Sequence, residues 1–142
     1  MANIDYDNFQ KSLKHLEDQF ANYKESGERT ELRERDKQAI AESVIHRFET
    51  CFDSLWKVLK RYLNEELGAV NVPDSPKPIL RIAHANALFN SDIALWIKYA
   101  DARNDTSHDY SLNKAEGTLA LMGDFIPDAI DLYITMTKKT WE

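Results

Sequence analysis

The sequence predicts an all-α fold: an up-and-down antiparallel four-helix bundle with one additional short helix. Three observations carry that reading. Among 142 residues there are only 4 Gly and 4 Pro, and Pro73, Pro76 and Pro78 sit together. So few breaking residues leave long uninterrupted segments. Apolar residues recur at steps of three and four along most of the chain, the period of a helix with one buried face. No stretch alternates for long enough to read as a strand. Helices with apolar stripes and short connections pack antiparallel. The length fits one helical domain over 1–142.

The first helix is read from Tyr6, Phe9, Leu13, Leu16, Phe20 and Tyr23, with Asp5 as N-cap and Gly27 as its stop. From Lys24 to Gln38, ten of fifteen residues are charged with both signs mixed, which reads as a solvated turn and an exposed helix start. The second and longest helix shows one face of Ile40, Val44, Phe48, Phe52, Leu55, Leu59 and Leu63. Ile45, Trp56, Tyr62 and Leu67 widen it, so it should touch neighbours on more than one side, and Gly68 stands where a C′ glycine belongs. Ser75 and Pro76 read as N-cap and first residue of a short helix reaching Leu88. Asn90, Ser91 and Asp92 read as a turn and cap before a fourth helix that turns Ile93, Trp96, Ile97 and Ala100 to one side, with Arg103 a further candidate for that face. The last helix carries Leu119, Met122, Phe125, Ile126, Ala129, Ile130, Tyr133 and Met136. Pro127 falls inside it and should kink it.

Composition narrows the function. The balance of 18 basic and 24 acidic residues gives −6, which argues against a broad non-specific grip on nucleic acid. A small, local phosphate-handling site remains open. One cysteine, Cys51, excludes an internal disulfide framework and reads as a small core residue in a reducing compartment. No apolar run approaches the roughly 18 residues of a membrane helix. The start lacks a basic and apolar leader, so the expected location is cytoplasmic. No Gly-rich phosphate loop, Gly-x-Ser-x-Gly, His-Glu-x-x-His or Cys-x-x-Cys is present. His15, His46, His84 and His108 lie on different segments without metal-ligand spacing, so neither metal nor cofactor is expected. The tryptophans read as packing residues, with Trp141 left to fray.

One segment stands apart: Tyr99 to Tyr110, where Arg103, Asn104 and His108 cluster at the close of the fourth helix. Asn104 and His108 are four apart and share a helical face. Arg103 and His108 are five apart, about 500° of turn, and diverge on an ideal helix. A helix ending near Ser107 would let the terminal turn hold His108, with Asn104 bonding its ring and Arg103 reaching the same spot. On spacing alone, a plain C-terminal cap, with a cationic histidine near the helix end, is slightly the better explanation. Glu49 and Asp53, one turn apart on the second helix, read first as surface carboxylates, with orientation of Arg103 or His108 as the alternative.

Arg103-Asn104-Asp105-Thr106-Ser107-His108-Asp109-Tyr110 matches Arg-x4-His-x-Tyr. In this it resembles the HEPN toxins that pair with a minimal nucleotidyltransferase antitoxin. Ile45-His46-Arg47-Phe48-Glu49-Thr50-Cys51-Phe52-Asp53-Ser54-Leu55-Trp56-Lys57 resembles the second-helix stretch of the nucleotidyltransferase substrate-binding branch of that family. Lys60 to Leu63, Ser75 to Lys77, and Trp96 to Tyr110 continue the likeness, which covers roughly residues 5 to 138. The resemblance implies an all-helical homodimer whose metal-independent endoribonuclease site is built from Arg103 and His108, supported by Asn104, in a locally cationic cleft that takes RNA. It further implies that the partner nucleotidyltransferase silences the toxin by moving AMP onto Tyr110. Two other function classes stand beside it: a structural helical dimer whose motif is only a cap, and a non-catalytic subunit that binds substrate for a separate nucleotidyltransferase chain. There, Arg103 and His108 would hold a phosphate.

Overall fold

The structure is a computed structural model that describes residues 3–108 and 112–142, with the backbone alone at 106–108 and 112–113. Among the described residues five helices follow in order: α1 Asp7–Ser26, α2 Glu34–Glu65, α3 Pro76–Ala85, α4 Ile93–His108 and α5 Leu112–Thr137. Among the described residues there is no strand. At about 1.5 Å per residue, the 32 residues of α2 run about 48 Å. It packs on all four other helices. That breadth matches its wide apolar face, in which Val44, Ile45, Phe48, Cys51, Phe52, Leu55, Leu59 and Leu63 are buried. Leu67, read as part of that face, is exposed instead, because α2 ends at Glu65.

Side-chain pairs fix the directions. Phe9 of α1 meets Tyr133 of α5, while Phe20 and Lys24 lie beside Met122 and Gly123. Thus α1 and α5 run antiparallel. Tyr99 of α4 packs on Phe125 of α5, and Asp105 lies near Lys114, so this pair also runs antiparallel. Helices α2, α4 and α5 bury an aromatic centre of Phe48, Phe52, Tyr99 and Phe125 in edge and tilted contacts, with centroids 5.0–6.3 Å apart.

Helix ends follow local chemistry. Asp5 Oδ1 accepts the Asp7 amide at 2.9 Å, one residue ahead of the helix boundary at Tyr6. Asp36 at the start of α2 accepts the Arg33 amide at 3.2 Å. Gly68 adopts φ +70°, the left-handed conformation a residue with a Cβ resists, and the next amide, Ala69, bonds the Leu63 carbonyl at 2.9 Å. Helix α3 stops three residues short of Leu88. Ala87 turns left-handed at φ 59°, and Leu88 folds its amide back onto the Ala83 carbonyl. Asp92 caps α4 by accepting the Ala94 amide at 3.1 Å. Helix α5 continues across Pro127, whose missing N–H leaves the Gly123 carbonyl without its ladder donor. Trp141 does not fray: its Nε1 donates to Glu17 at 3.2 Å, and its ring meets Tyr133 edge-on.

Cys51 is fully buried, and burial pushes its thiol up to about 12 from an ordinary 9.0, against the smaller opposing effect of a hydrogen bond with Ser12. Above about pH 9 the unfolded chain therefore sheds a proton that the folded chain keeps, so stability falls as pH rises from there toward 12. Thermal melts between about pH 9 and 11 are expected to show a falling Tm, and a shallower fall for Cys51→Ala. Parallel slopes for the two proteins would contradict this. Some slope should survive, since burial also raises Tyr6 to about 12 and raises Tyr99 further.

Candidate functional site

Phe48 and Phe52 are locked in the core, which sets the rotation of α2. The residues that follow each of them, Glu49 and Asp53, are four apart and share one face beside the buried stripe. Helix α4 crosses that face. Trp96, Tyr99 and Ala100 anchor α4 in the core, and Arg103, one turn after Tyr99, is carried to the two carboxylates. Tyr99 takes the place that spacing had given to Ile97. Its hydroxyl donates to Asp128 at 2.5 Å, and Asp128 also accepts from Ser91.

The guanidinium of Arg103 is held along two edges. Nε and Nη2 donate to the two oxygens of Asp53 at 3.1 and 3.0 Å, and Nη1 donates to Glu49 at 3.0 Å. This planar fork suits a carboxylate as no ammonium can. The Arg103 side chain is 25% exposed, Glu49 13% and Asp53 37%. The other oxygen of Glu49 lies 4.0 Å from His46 Nδ1. Glu49 and Asp53 are therefore not independent surface carboxylates: they fix where Arg103 points. Sequence spacing gave no direct sign of this, because the partners are about 50 residues apart in the chain. The available signal was the i,i+4 pair on the helix that the motif helix must cross.

Of the other site residues read from sequence, Asn104 follows Arg103 on the exposed side of α4. His108 is the last residue of α4, one beyond the expected end at Ser107. The side chain of His108 and the whole of Tyr110 lie outside the described residues. The expected cationic cleft draws on His108 of two copies, whose side chains lie outside the described residues. Among the described residues, the Arg103 guanidinium meets two carboxylates, Glu49 and Asp53.

The long helices and the arginine held between α2 and α4 define a small helical-bundle protein of the class that the sequence resembles. The chain belongs to the family described as nucleotidyltransferase substrate binding protein like, whose model matches residues 4–138. A Haemophilus influenzae protein named probable ribonuclease HepT is 33% identical over 94 residues, 63% of this chain. The match spans 62% of that relative's length, less than two thirds. Two solved structures share the fold. One, from Haemophilus influenzae, is described as the fold of a substrate binding domain of a nucleotidyltransferase. It has a TM-score of 0.82 at 23% identity and covers 93% of this chain and 98% of that one. The other, from Thermus thermophilus, has a TM-score of 0.66 at 24% identity and covers 86% and 98%. None of the described helices is long and apolar enough to cross a membrane.

Proposed function

We propose that this chain is the HEPN toxin of a toxin–antitoxin pair: a metal-independent endoribonuclease acting as a homodimer in the cytoplasm, its whole length one helical domain. The observation that carries the reading is Arg103, the first residue of Arg-x4-His, held in one orientation by Glu49 and Asp53 at the α2–α4 contact. A side chain that only capped its own helix would have no use for two carboxylates on another helix. The naming of a relative as a probable ribonuclease supports the same reading.

The chemistry needs few groups. A base takes the proton of the ribose 2′-OH, whose oxygen attacks phosphorus. An acid protonates the departing 5′-oxygen, leaving a 2′,3′-cyclic phosphate. Positive charge steadies the phosphorane between these events. One histidine cannot be base and acid at once, so two copies of His108 in a symmetric dimer divide the roles, with Arg103 beside each and Asn104 orienting the ring. The dimer forms through α4 and the motif turn. Light scattering at micromolar protein is expected to give about twice the 16.4 kDa chain mass. A species of single-chain mass alone would count against a shared site.

Control comes from the partner, a minimal nucleotidyltransferase. The Tyr110 oxygen attacks the α-phosphate of ATP, pyrophosphate leaves, and AMP stays on the tyrosine as a phosphodiester. That adds negative charge and bulk two residues from His108. Intact mass after incubation with partner and ATP should rise by one AMP in wild type and stay constant in Tyr110→Phe. A gain that survives the substitution would move the acceptor elsewhere. The family description also fits a non-catalytic subunit binding substrate for a nucleotidyltransferase. That reading requires the unmodified protein to be inert on RNA.

A further inference from the structure

Positive charge of the kind an RNA strand meets lies beside the Arg103 site, in the seam between α1 and α2. Two polar stripes at helical spacing face each other there: Asn8, Lys11 and His15 on α1, and Arg47, Thr50 and Ser54 on α2. The apolar stripe of α1, Phe9, Leu13 and Leu16, is buried against the core, so the neighbouring stripe rims the seam. Together with His46 they line a cavity of about 510 Å³ that no carboxylate enters. A second cavity of about 400 Å³ shares Asn8, Thr50 and Ser54 and extends the groove to Lys57. From Arg47 to Lys57, α2 advances about 15 Å. Among the described residues, Lys11, Arg47 and Lys57 pair with no carboxylate. On a chain of −6, such a concentration of unneutralised cations and hydroxyls is conspicuous.

The groove joins the candidate site. Glu49 lies between His46 at the groove's edge and Arg103, and Asp53 both holds Arg103 and borders the second cavity with Asp5. These carboxylates form a negative divide between the cationic track and Arg103. Beyond them, the track offers a polyanion positive charge that no carboxylate among the described residues neutralises.

We propose that the α1–α2 groove, centred on Lys11 and Arg47, binds the phosphodiester backbone of single-stranded RNA flanking the bond cut at the Arg103 site. The ligand class rests on the ribonuclease reading; the groove does not. Hydroxyl and amide groups at Asn8, Thr50 and Ser54 suit phosphate and ribose oxygens, and nothing in the lining selects a base. The track should therefore set affinity rather than sequence preference.

The test uses the full-length protein and a fluorescein-labelled single-stranded RNA with 2′-O-methyl riboses, which binds but lacks the attacking hydroxyl. Fluorescence anisotropy across a salt series is expected to show Lys11→Ala/Arg47→Ala weakening binding by about tenfold at low salt. The slope of log K against log salt should flatten by about 1.4, two phosphate contacts at about 0.7 each. Arg35→Ala/Arg81→Ala, which removes the same charge from exposed positions off the groove, should match wild type in both. A groove variant that keeps wild-type affinity and slope, while wild type cuts ordinary RNA, overturns the groove and spares the ribonuclease. Groove-dependent binding by a wild type that cuts nothing supports the groove and overturns the ribonuclease. A variant that binds RNA normally but loses the partner nucleotidyltransferase makes the seam a protein-docking surface and overturns the proposal.

Discussion

His108→Ala is expected to abolish RNA cleavage and to relieve growth arrest in cells expressing the chain without its partner. Both proton transfers pass through this residue, one in each copy, so no second group supplies the missing base or acid. The fold should persist. His108 is the terminal residue of α4, beyond the core positions Trp96, Tyr99 and Ala100. Loss of a cationic group at a helix end costs roughly 0.3–1 kcal/mol. Helical circular dichroism and the dimer mass should therefore match wild type. A folded, dimeric His108→Ala protein that still cuts RNA would remove the proposed acid–base pair.

Arg103→Ala is expected to lower the cleavage rate by about 10²–10³, the usual effect of deleting one donor that meets transition-state charge. It should also cost stability, because Glu49 and Asp53 then face each other one turn apart without their shared cation. These side chains are partly exposed, so solvent screening holds that cost to about 1 kcal/mol. A second variant separates these effects. Arg103→Ala with Glu49→Gln and Asp53→Asn removes both stranded charges and should recover most of the stability while the rate stays low. Recovery of the rate as well would show that Arg103 acts through folding alone. Arg103→Lys should fall between, since an ammonium cannot meet both oxygens of Asp53 and Glu49 in one plane.

Helix order, the dominance of α2 and most of the core were legible because helical period is a local signal. Phe9, Leu13 and Leu16, or Phe48, Phe52 and Leu55, announce a buried face without knowledge of the partner. What failed depended on tertiary neighbours. Tyr99 is core because Asp128, on another helix, accepts its hydroxyl hydrogen bond, and an apolar pattern gives no hint of that bond. Helix α3 stops at Ala85 because Ala87 turns left-handed, a conformation alanine rarely adopts and sequence does not advertise. Trp141 is held by Glu17, far away in the chain. The motif was visible as a string, and orientation of Arg103 by Glu49 and Asp53 was one of two readings that spacing could not decide between. Arg103 needs Glu49 and Asp53 to be more than a helix-end cation, and that contact exists only once α4 crosses α2.

End-group analysis of RNA cut by the purified wild-type dimer, shown by intact mass to carry no AMP, tests the endoribonuclease most directly. In EDTA, products ending in 2′,3′-cyclic phosphate and 5′-hydroxyl are expected, absent from the His108→Ala reaction. RNA left whole by the unmodified dimer, or cut to ends that His108→Ala leaves unchanged, would contradict a site built on Arg103 and His108.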